Sequence, residues 1–168
     1  ITINSDYNTD GSDWTADGQV TLKNDSTINT AAGAAGDVTF TSAIDADTKD
    51  NQGLTTRAGT GDASFDQTVG GSKRLKDFDV RGQNIETQTV KTDKAITLSA
   101  GRDAGGPLEA QDAQFAGRDP ASTITINSDL DSNTDVVNLN STGTPRDFIP
   151  IRATIVLNNG GNIEGDRV

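Results

Sequence analysis

The chain has 168 residues and a net charge of −11, from 25 acidic against 14 basic side chains, with neither His nor Cys. The acid excess repels nucleic-acid phosphates and anionic membrane surfaces, and the missing residues remove disulfides, thiol nucleophiles, His general bases and the usual zinc sites. Ile, Leu, Val and Phe make up only about a fifth of the chain, which suits a thin core in which each layer buries a few side chains against the next.

From the N-terminus onward, short segments alternate apolar and polar residues between Gly, Asn and Asp, the pattern of strands and turns. They are ITIN (1–4), QVTLKN (19–24), DVTFTS (37–42), DASFDQ (62–67), DFDVRG (77–82), AITLSA (95–100), TITINS (123–128), VVNLN (136–140) and IRATIVLNN (151–159). GLTTRA (53–58) and IETQTV (85–90) read as weaker strands, and GPLEAQDAQFAG (106–117) is a short helix candidate. Most segments bury one side through an apolar pair: Val20/Leu22, Val38/Phe40, Ala63/Phe65, Phe78/Val80, Ile96/Leu98, Ile124/Ile126, Val137/Leu139 and Ile155/Leu157.

The pairs recur at uneven intervals near the length of one coil of a parallel β-helix. The expected fold is therefore all-β: a β-solenoid forming a single module over 1–168, of roughly eight coils and about 40 Å. A β-sandwich completed by strand exchange is the alternative. The Thr residues between paired apolar residues should point outward in rows, either as a hydration or glycan-ordering surface or simply as good strand formers.

The phrase ITINSD occurs at 1–6 and 124–129, and each copy runs into an acidic loop. DYNTDGSDWTAD (6–17) places Asp6, Asn8, Asp10, Gly11, Ser12 and Asp17 at the ligand and turn positions of a twelve-residue calcium loop, with Asp where Glu is usual at the end. This spacing is also similar to that of cellulosomal dockerin loops, without the helices that flank those. Asp129, Asp131, Asn133 and Asp135 repeat the alternation, but lack the turn Gly and have Asn140 at the last position. Both stretches also read as polar turns, the second more so, because Asp, Asn and Gly favour turns for backbone reasons. DADTKD (45–50) reads as a solvated loop.

GDVTFTSAID (36–45) and GDASFDQTVGG (61–71) are one phrase written twice, followed by a Leu-x-x-Phe-x-Val strand and AITLSAG. In this style the chain resembles the filamentous-haemagglutinin-like and autotransporter-passenger-like β-solenoid repeats of large bacterial surface proteins. The resemblance covers chiefly 34–101. It implies a right-handed parallel β-helix, used at the bacterial cell surface or outside the cell as a stalk, fibre or adhesin. The charged SKRLKD stretch (72–77) departs from that repeat style.

Asp77 and Asp79 beside Lys76 and Arg81 could be arranged as a carboxylate-based active site, but alternating charges are also what an exposed strand face carries. The chain therefore reads as non-enzymatic. No apolar run approaches the roughly 18 residues of a membrane helix. The absence of an N-terminal Met and of a signal peptide fits a mature or excised chain. Uncapped strands near Ile1 and Ile3 at one end, and near Ile151, Ile155 and Leu157 at the other, predict head-to-tail self-association. A surface glycan is the second expected partner, for which Tyr7 and Trp14 are the available aromatic side chains.

Overall fold

A computed structural model describes residues 1–31, 36–101, 122–141, 154–157 and 163–164. Its first three strands, β1 (Thr2–Ile3), β2 (Tyr7–Asn8) and β3 (Trp14–Ala16), each start a different sheet. The chain then returns to the same sheets in the same order. β4 (Val20–Leu22), β5 (Ser26–Asn29) and β6 (Val38–Phe40) pair with β1, β2 and β3. β7 (Ile44–Ala46), β8 (Leu54–Arg57) and β9 (Ala63–Phe65) pair with those in turn.

The fourth circuit differs. In the first sheet Val69 and Leu75 contribute only single bridges, to Ile44, Val90 and Thr92. β10 (Phe78–Gly82) and β11 (Asn84–Thr87) then resume on β8 and β9. β12 (Val90–Thr92), β13 (Ile96–Ala100) and β14 (Thr123–Ile126) follow, and after them β15 (Leu130–Ser132), β16 (Val137–Ser141) and β17 (Thr154–Leu157). β18 (Ile163–Glu164) returns to β15.

The molecule is thus all-β, and the described strand pairs are parallel. Parallel pairing is not the hairpin-linked antiparallel pairing of a strand-exchanged sandwich. Among the described residues the second and third sheets hold six strands each, about 24 Å between outer strands. The apolar pairs do not each mark one circuit, so the layers are fewer than the eight that their number suggests. The pairs fall on three sheets: Val20/Leu22 on the first, Phe78/Val80 and Ile96/Leu98 on the second, Val38/Phe40 and Ala63/Phe65 on the third.

Register explains the burial. In-line positions stack apolar on apolar, as in Val20–Ile44–Val69–Val90–Leu130 and Trp14–Val38–Ala63–Ile85–Ile124. Both members of each pair from Val20/Leu22 through Ile124/Ile126 are buried, and Val137 and Leu139 pack against the core. An aromatic stack runs between the sheets: Tyr7–Trp14 at 5.9 Å, Trp14–Phe40 at 5.0 Å, Phe40–Phe65 at 5.2 Å and Phe65–Phe78 at 4.9 Å between ring centres. The helix candidate at 106–117 lies outside the described residues. Among the described residues no helix is long and apolar enough to cross a membrane.

The two ITINSD copies do not occupy equivalent places. The first forms β1 of the first sheet and the second lies in β14 of the third. They are similar strands placed in different sheets.

Candidate functional site

The repeated Gly-Asp phrase finds its physical reason at the entry to the third sheet. A Cβ on Gly36 would lie 2.4 Å from the Ser12 carbonyl, and one on Gly61 would lie 2.4 Å from the Gly36 oxygen. Successive circuits therefore touch backbone to backbone, and only Gly fits. The neighbouring side chains form a ladder. Asp37 N–H donates to Asp13 Oδ1 at 2.9 Å, Asp62 N–H to Asp37 Oδ1 at 2.8 Å, Asn84 N–H to Asp62 Oδ1 at 3.1 Å and Thr123 N–H to Asn84 Oδ1 at 3.1 Å. Each carboxylate or amide takes an N–H from the next circuit where the chain bends between sheets. None of Asp13, Asp37, Asp62 and Asn84 was singled out from the sequence, although the Gly-Asp repeat was the signal for two of them.

A second cluster is built by SKRLKD, in the circuit that lacks a first-sheet strand. Asp45 is buried and accepts the N–H groups of Ser72 at 2.8 Å and Lys73 at 3.0 Å, fixing the loop from one side. DADTKD is thus only partly a solvated loop, since Asp45 serves this anchor. Lys73 Nζ reaches the Asp47 carbonyl, and Lys76 Nζ bonds Asp25 and lies 3.6 Å from Asp77. Arg74 reaches the other way, to the carbonyls of Thr92 at 3.1 Å and Asp131 at 3.2 Å and to the Asp131 carboxylate. Lys76 foremost, then the Gly53 N–H, holds the Asp25 carboxyl below its ordinary value, while Asp25 raises the Lys76 ammonium.

No protein-family model, curated protein or solved structure matches the chain.

The first candidate loop is split between sheets. Asp6 precedes β2, and its Oδ1 accepts the Thr27 N–H at 2.7 Å. Asn8 lies within β2, and its Oδ1 accepts the Asp10 N–H at 3.2 Å. Asp10 and Gly11 make the turn with φ of 51° and 90°. The Ser12 carbonyl accepts from Thr9. Asp17 lies beyond β3, and its Oδ1 accepts the Thr41 hydroxyl at 2.9 Å. In the second loop Asp131 pairs with Arg74, Asn133 donates to Asp93 at 3.1 Å and Asp135 accepts the Val136 N–H at 2.8 Å. The Asp129 carbonyl accepts from Val90. Among the described residues no group of three or more His, Cys, Asp or Glu is placed to hold a metal ion.

Of the assembly residues, Ile1 is 54% exposed and Ile3 is buried in β1. Ile155 and Leu157 belong to β17, the outermost strand of the third sheet, and Ile151 lies outside the described residues. Trp14 packs on Phe40 and Tyr7 on Trp14, so both rings take part in the aromatic stack. Asp79 and Arg81 face outward on β10 and pair at 3.4 Å. Thr residues align in pairs, Thr2 with Thr21, Thr15 with Thr39 and Thr27 with Thr55, and Asp45, Ser64 and Asp79 come next in register, so the expected rows are interrupted.

Proposed function

We propose that the chain is a β-solenoid module of an extracellular, bacterial cell-surface protein, non-enzymatic and structural or adhesive, that stacks head-to-tail into a stalk or fibre. One observation carries this reading. Among the described residues, three parallel sheets, the first joined across its middle by single bridges, are visited in a fixed cyclic order, with β1, β2 and β3 as outer strands on one side and β16, β17 and β18 on the other. Outer strands leave unpaired N–H and C=O groups that recruit another strand, so a second copy or further coils of one polypeptide would extend the same sheets. The likeness in style to filamentous-haemagglutinin-like repeats supports the same role.

Two features favour a scaffold over a catalyst. The acids of the Gly-Asp corner are engaged in joining one circuit to the next. The outward Asp79 is paired with Arg81. Calcium enters the proposal as a stiffener of the acidic corners: Asp6 and Asp17 spend Oδ1 on the next circuit, and a divalent ion would draw on their remaining oxygens.

Negative-stain microscopy of the purified chain, with calcium and then with excess chelator, tests the reading. Filaments or end-to-end dimers are expected. Filaments that dissolve on chelation support the calcium component, and filaments indifferent to chelator remove it. Separate monomers under both conditions overturn the stacking reading.

A further inference from the structure

The outer face of the second sheet carries a column of Thr27, Thr55, Asp79 and Thr97, in register from strand to strand. Beside it, Arg57 and Arg81 occupy directly paired positions on β8 and β10. Like charges facing each other on neighbouring strands are unfavourable. Arg81 turns to Asp79, whereas Arg57 makes no ion pair among the described residues. Elsewhere Lys23, Lys49, Arg74 and Lys76 each sit within ion-pair distance of an Asp. Both arginines are half-buried, so their stems are held while the guanidinium forks remain at the surface. Two arginines at paired positions, with Asp79 engaging only Arg81, leave donors for a planar anion from outside.

The surroundings narrow the partner. The backbone groups of this face are taken by neighbouring strands, so an extended peptide has nothing to pair with there. Recognition falls to side chains, and hydroxyls at strand spacing suit a polyol chain lying along the stack. The net charge of −11 then limits charge density. A polymer ionised at every unit is repelled, while isolated carboxylates between neutral units can reach the arginine pair.

We propose that this face binds an acidic polysaccharide with spaced carboxylates, a uronate carboxylate lying between Arg57 and Arg81 and the threonine column bonding sugar hydroxyls. This goes beyond the stacking reading and does not depend on it, because the face lies along the side of the stack and serves a monomer equally.

The test is binding of the full chain at low salt to hyaluronate, in which a uronate alternates with a neutral sugar, alongside heparin and dextran. Hyaluronate should bind best and weaken as salt rises. Arg57→Gln and Arg81→Gln should each weaken it by about tenfold, while Lys91→Gln on the first sheet should leave it unchanged. If Arg57→Gln does not fold, Arg57→Lys, which keeps the charge and loses the fork, should bind at an intermediate level. No hyaluronate binding, equal binding of dextran, or binding indifferent to both arginines overturns the proposal.

Discussion

Arg74 and Asp131 stand 57 residues apart in sequence and meet through a guanidinium–carboxylate contact of 2.5 Å, with side chains 23% and 30% exposed. The contact skips a whole circuit, since Arg74 lies before β10 and Asp131 in β15. The same guanidinium bonds the Thr92 carbonyl in the circuit between.

Arg74→Ala should lower stability by about 1–3 kcal/mol, the range for charge-assisted hydrogen bonds that leave a partner unmatched. Hydrogen exchange should quicken at β12 and β15 before it does at β4. Identical exchange in variant and parent would remove the bracing role.

Asp25 and Lys76 give the pH dependence. The lowered Asp25 carboxyl contributes stability above its ordinary 3.8 and loses it as pH falls through its folded value. The raised Lys76 ammonium contributes below its ordinary 10.5 and loses it as pH rises through its own folded value. The difference in melting temperature between parent and Asp25→Asn should therefore stay flat from about pH 5 to about pH 9 and shrink below about pH 4. A difference that grows on acidification contradicts this.

In the corner ladder, Asp37→Ala removes the acceptor for Asp62 N–H and should cost about 0.5–1.5 kcal/mol. Asp37→Asn should cost much less, because Asn84 already serves as the acceptor one step along. Denaturant midpoints of the two variants separate the acceptor role from a role of the charge.

Gly61→Ala drives a methyl to 2.4 Å from the Gly36 oxygen, a contact with backbone that cannot swing aside. A loss of about 1–3 kcal/mol is expected on thermal melting. A neutral result would mean that the circuits are not in backbone contact at this corner.

Thr56 is fully buried, lies in line with Ile28 and Val80, and its hydroxyl has no hydrogen-bond partner. Thr56→Val keeps the shape and discards the orphan group, so it should gain about 1 kcal/mol. A destabilised variant would point to a buried water at Oγ1.

Much of the core was legible, because a strand with one buried side alternates apolar and polar residues however short it is. Ile96/Leu98 and Ile124/Ile126 are such cases. The three-sheet winding was not, since β2 (Tyr7–Asn8) is two exposed residues and carries no alternation. Asp6 and Asp17 fitted a ligand spacing along the chain, yet the partners they meet, Thr27 and Thr41, come from the next circuit. Arg57 and Arg81 lie near the ends of separate segments, and their pairing exists only once register is fixed.

Hydrogen bonds between parallel strands run along the stacking direction, so a pull on the two ends loads them head-on instead of in shear. Circuits held by those bonds alone would detach singly, each at a modest force, like coins lifted from a roll. Arg74 changes that sequence of events: by gripping Thr92 and Asp131 together it obliges neighbouring circuits to yield as a group. The interruption in the first sheet thereby becomes the place where the structure resists tearing.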